Sequence, residues 1–64
     1  MKELKKQIKD RLTTIAVFMQ TSMGFPVDMF EDKIGVMSLL EQLAFVNGFA
    51  ESHNKVVKPI YYKE

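Results

Sequence analysis

Residues 4–19 read LKKQIKDRLTTIAVFM, and the apolar positions in that stretch recur with the period of a helix. Leu4, Ile8, Leu12, Ile15 and Met19 follow one another at steps of four, four, three and four. Such spacing places all five on one face of a 3.6-residue helix. Ala16, Val17 and Phe18 widen the stripe near its end, and Lys2, Lys5, Lys6 and Lys9 lie beside it. Gly24 is the expected stop, and Pro26, two residues on, cannot extend the helix. A first helix is predicted over about residues 2–22 and a connection over about 23–27.

Beyond the connection, one second helix is predicted over about residues 28–53. Pro26 suits its first position, where a missing N–H costs nothing. Alternatively, Asp28 caps it with Glu31 three residues on. Either way Asp28, Glu31 and Asp32 gather at a helix N-terminus, where the macrodipole favours negative charge. That accounts for the acidic cluster without a metal, whose ligand set nothing nearby completes. Gly35 and Gly48 weaken this helix, each by up to ~1 kcal/mol relative to Ala. Asn54 is a suitable residue to end it.

The second helix is apolar nearly all round. At ~100° per residue, Val36, Leu39, Leu40, Leu43 and Ala50 share one broad face, flanked by Met37, Ala44 and Val46. Ile34, Phe45 and Phe49 fall almost opposite. One neighbouring helix covers one stripe, not two. Ile34, Phe45 and Phe49 are therefore the expected site of self-association or of docking by the tail. That tail, about residues 55–64, is β-branched and aromatic, and Pro59 excludes a continuous helix. It is predicted to be extended, with Val56, Val57, Ile60 and Tyr61 packing on the Phe45 and Phe49 side.

The predicted fold class is all-α: an antiparallel helical hairpin with an extended C-terminal tail, one domain over residues 1–64. A 64-residue chain buries only about 60% of the surface that its unfolded form exposes. Small scaffolds add disulfides, a metal or oligomerisation. There is no Cys, and His53 is the one His. Assembly into a dimeric four-helix arrangement or a higher oligomer, or docking on a partner, is the expectation that remains.

Charge is uneven along the chain. Residues 1–11 set Lys2, Lys5, Lys6, Lys9 and Arg11 against Glu3 and Asp10, a net +3. Residues 12–54 set Lys33 against Asp28, Glu31, Asp32, Glu41 and Glu51, a net −4. Residues 55–64 return to +2. In a hairpin the two basic ends converge. Lys2, Lys5, Lys6, Lys9, Arg11, Lys58 and Tyr61 are then candidates for binding an anion, with Tyr61 and Tyr62 placed to stack a base. Cations at a helix N-terminus oppose its dipole, and a broken local rule is where function is sought.

A second candidate lies at the turn. Met19, Met23, Phe25, Met29, Phe30 and Met37 cluster there in sequence. Methionine suits adaptable binding surfaces, so Met23, Phe25, Met29 and Phe30 are the candidate contacts for a partner.

No residue set points to catalysis. His53 has no Cys partner, and Ser52 beside it points elsewhere on a helix. Gly24, Gly35 and Gly48 are isolated, so no glycine-rich phosphate loop exists. No cofactor and no metal are implied. The N-terminal stretch lacks the apolar run of a signal peptide, and no segment reaches the ~20 apolar residues of a membrane span. The expectation is a cytoplasmic, non-enzymatic interaction protein: a regulator, adaptor or inhibitor of another macromolecule. Its type suggests an accessory protein of a bacteriophage or mobile element. The alternative is an oligomer that holds a small anion, such as a nucleotide, between subunits. A third reading is sequence-independent nucleic-acid binding through the basic end.

Overall fold

The computed structural model describes residues 2–61. These form three helices: α1 over Lys2–Met23, α2 over Val27–Gly35 and α3 over Leu39–Ser52. No strand occurs among the described residues.

The first stop is the expected one. Gly24 adopts φ 69°, the left-handed region that glycine enters without steric cost. Its N–H donates to the Gln20 carbonyl at 3.2 Å, and the Phe25 N–H donates to the Met19 carbonyl at 3.1 Å. Carbonyls left over at the end of α1 are satisfied in this way. Pro26 is the N-cap of α2 rather than its first residue, and Val27 begins the helix. Asp28 lies in the first turn, so the box expected between Asp28 and Glu31 is not what starts α2.

The second expected helix is divided, so the described residues form three helices and not two. The break spans residues 36–38, and its cause is local. Ser38 and Glu41 form a capping box, a start signal inside an apolar run. The Glu41 N–H donates to Ser38 Oγ at 3.2 Å, and the Ser38 N–H donates to Glu41 Oε1 at 2.8 Å. Gln42 closes the gap from the other side. Its Nε2 donates to the carbonyls of Ile34 at 3.1 Å and Met37 at 3.3 Å.

Because α3 starts afresh, its faces are not those of a continuous helix. It buries one broad face centred on Val46, which is fully buried. Leu39, Leu43, Phe45 and Phe49 flank Val46 and pack on the core. Ile34 at the end of α2 does the same. Val36 and Leu40, expected on the core face, are 86% and 66% exposed. The two opposed stripes of a single helix are thus replaced by one wide buried face.

The arrangement of ends also differs from a simple hairpin. α2 runs back along α1 after the Gly24 turn. α3 then runs in the sense of α1. Its start, at Leu39 and Gln42, shares a cleft with Lys5, Lys9 and Leu12. Its end meets Phe18, with ring centroids 5.8 Å away at Phe49 and 5.4 Å away at His53. A turn follows, in which the Val56 N–H donates to the His53 carbonyl at 2.9 Å. The tail then returns along α1 and α3. Arg11 Nε donates to the Lys58 carbonyl at 3.1 Å. Ile60 is held twice by Asn47: its N–H donates to Oδ1 at 2.7 Å and its carbonyl accepts from Nδ2 at 3.0 Å.

The core joins all four segments. Leu4, Ile8, Leu12, Ile15 and Ala16 of α1 meet Phe30 of α2, Val46 and Ala50 of α3, and Val57 and Ile60 of the tail. Ile8, Ile15 and Val46 are enclosed completely. Burying one such side chain contributes about 1.5–3 kcal/mol. The tail is therefore part of the fold of its own chain.

Candidate interaction surfaces

Three surfaces carry the residues singled out by the sequence. The first is at the turn between α1 and α2. Met19, Phe25, Phe30, Ile34, Met37 and Phe45 line a cleft of about 200 Å³, with Lys33 at its edge. The turn at Gly24 folds Phe25 back beneath α2, and the break after Gly35 brings Met37 and Phe45 up beside it. Met29 precedes Lys33 by one helical turn, so it lies on the same side of α2. Both Met29 and Met23 are more than half exposed. The four expected contacts thus divide: Phe30 is buried in the core, Phe25 is half-buried, and Met23 and Met29 face solvent. Ile34 and Phe45 belong to this cleft although sequence spacing assigned them elsewhere. Only the break between α2 and α3 brings them here.

The second surface is the aromatic run that contains Phe45 and Phe49. Phe30 meets Phe45 at 5.9 Å between centroids, and Phe45 meets Phe49 at 6.4 Å. Phe49 stacks on His53 at 4.3 Å, and Phe18 approaches both edge-on. Separations of this order suit offset and edge-to-face ring pairs. Phe45 and Phe49 are half-buried and satisfied within one chain. Asn47, which anchors the tail, is about 200° round α3 from Phe45. His53 Nδ1 is buried without a hydrogen-bond partner.

The third surface is basic. Lys2, Lys5, Lys6 and Lys9 are all exposed, and their spacing puts them along one side of α1. Arg11 is separate from them, because its guanidinium is committed to the tail at Lys58. Tyr61 is exposed beyond Ile60. The expected anion-binding set is therefore not gathered: the four lysines lie on one side of α1, Arg11 meets Lys58 on another, and Tyr61 follows the Ile60 that Asn47 of α3 holds. The expected partner of Tyr61 in base stacking, Tyr62, lies outside the described residues.

The lysine side of α1 borders a furrow. Lys5, Lys9 and Leu12 of α1 with Leu39 and Gln42 of α3 enclose one part of about 380 Å³. A second part of about 230 Å³ shares Lys9 and Leu12, and continues along Thr13, Ala16 and Val17 to Val27, Glu31 and Ile34 of α2. Sequence reasoning named Lys5 and Lys9 for their charge but missed this furrow. Val17 was the available signal: it is apolar yet lies about 200° round α1 from Ile15, away from the stripe, and the structure leaves it 54% exposed.

Among the described residues no group of three or more His, Asp or Glu side chains is placed to hold a metal ion. No helix there is long and apolar enough to cross a membrane. A scan against protein-family models and searches of curated proteins and of solved structures return no match to this chain.

Proposed function

We propose that this chain is a non-enzymatic protein-interaction module, a small regulator, adaptor or inhibitor, and that the methionine–phenylalanine cleft at the turn is its working surface. One observation carries the reading. Met19, Phe25, Phe30, Ile34, Met37 and Phe45 form a cleft with apolar walls, and Met29, one helical turn before the Lys33 at its edge, is more than half exposed. Leaving large apolar side chains in water forgoes burial energy of about 1.5–3 kcal/mol each. Contiguous apolar surface of this kind marks contact sites. Methionine adapts its shape to what it meets. The fitting partner presents one or two apolar side chains, as an amphipathic segment does, to a rim that carries Lys33.

The test is photocrosslinking. Benzoylphenylalanine replaces Met29 in one variant and Asp10, an exposed position of α1, in a control. Both are expressed in the source organism and irradiated. A protein adduct from the Met29 position, absent from the Asp10 position and lost on adding Met37→Asp, supports the reading. No adduct, or equal labelling from both positions, overturns it.

A further inference from the structure

We propose that the furrow along α1 is an isologous interface, and that a second copy of this chain fills it. This face is distinct from the methionine–phenylalanine cleft. Its floor is apolar, formed by Leu12 and Ala16, with Val17 and Val27 at one end. Thr13, on the same side, donates its hydroxyl to the Lys9 carbonyl at 3.0 Å. It therefore brings no unpaired donor into a dry contact.

The charge pattern selects the occupant. Lys5 and Lys9 line the furrow toward the N-terminus of α1, and Lys2 and Lys6 share their side of that helix by spacing. Asp28, Glu31 and Asp32 share one side of α2 by their spacing, and Glu31 lines the furrow directly. α2 runs antiparallel to α1, so its first turn lies beside the C-terminal half of α1. The face is thus positive toward one end and negative toward the other. A two-fold axis across it turns the pattern end for end. The lysines of one copy then meet the carboxylates of the other, and the exposed Val17 is set onto the opposing apolar floor. In a two-fold contact each residue pairing occurs twice, so one favourable pairing becomes two. A nucleic acid would meet Glu31, Asp28 and Asp32 as like charges on this same face.

The experiment uses the full chain with Lys9→Glu and Glu31→Lys, both at exposed positions, and circular dichroism to confirm retained helix. Sedimentation equilibrium at low salt is expected to show a dimer for the wild type. Each single variant places like charges across the two-fold and is expected to weaken the dimer by about tenfold or more. An equimolar mixture of the two variants restores opposite charges at both pairings. Native mass spectrometry of that mixture is expected to show the heterodimer in preference to either homodimer. That preference does not arise from a pairing of Lys9 with Glu31 inside one chain. A wild type that stays monomeric to millimolar concentration overturns the proposal. So do single variants that dimerise as well as the wild type, or a mixture that remains monomeric.

Discussion

Ser38 and Glu41 decide more of this structure than any other pair of side chains. Their two reciprocal bonds start α3 and so set the angular position of every residue after it. The bond from the Ser38 backbone N–H, and then the Ser38 side chain, hold the Glu41 carboxyl below its ordinary value of 4.5, against a smaller opposing effect of burial. A lowered value in the folded state means that the unfolded chain binds the proton more readily. The stabilisation by Glu41 is complete above pH 4.5 and is lost as pH falls through the lower folded value. The side-chain resonances of Glu41 should titrate below 4.5, and Ser38→Ala should move the midpoint up. The same substitution should cost about 1 kcal/mol in urea unfolding, as removal of a helix cap does. A midpoint that Ser38→Ala leaves in place would show that the Ser38 side chain adds nothing to the hold of its backbone N–H on this carboxyl.

At the scale of elements, the tail behaves as a fourth packed segment although it is neither helix nor strand. Val57 and Ile60 supply its buried side chains, and its backbone is held at Arg11 and Asn47. An extended segment has no internal hydrogen bonds, so these outside partners replace a ladder. Asn47→Ala leaves the Ile60 N–H and carbonyl without partners in a half-buried place, at a cost of about 1–3 kcal/mol. Hydrogen exchange at the Ile60 amide should accelerate, while amides in the middle of α1 stay protected. Equal acceleration in both would mean that the tail and α1 unfold together. Phe45 and Phe49 show the same logic between helices. They were expected to meet the tail or a second copy of the chain; within the chain, Phe45 meets Phe30, and Phe49 meets Phe18 and His53.

The whole molecule is thin. Its Cα atoms span 36 × 25 × 15 Å, and its radius of gyration is 11.3 Å, against about 10.7 Å for a typical compact chain of this length. Among the described residues ten buried apolar side chains form the core, and no Cys is available to add a disulfide. Stability is accordingly concentrated in a few side chains. Ile15 is fully enclosed at the middle of α1. Ile15→Ala should cost about 2–5 kcal/mol, close to the entire stability of a small domain. Thermal unfolding followed by circular dichroism should show the variant largely unfolded near 25 °C. A cooperative transition close to that of the wild type would mean that the core is more redundant than its size implies.

What the residues determined by themselves was local: the stripe of α1 from Leu4 to Ile15, the stop at Gly24 and the non-helical tail after His53. Each depends on neighbours within about one helical turn or on the fixed geometry of Gly and Pro. The start of α3 was also written locally, as Ser38 followed by Glu41. The apolar run from Val36 to Leu40 hid it, because that run reads equally well as one continuous helix. Only the tertiary structure decided which sides of α2 and α3 are buried. A helical face is defined by where the helix begins and by which neighbours surround it, and the break supplied both. It turned Phe45 and Phe49 inward and left Val36 and Leu40 in solvent. The packing of α2 back along α1 likewise drew Lys9, Val17 and Glu31 to one furrow, a juxtaposition between helices that no spacing along the chain encodes.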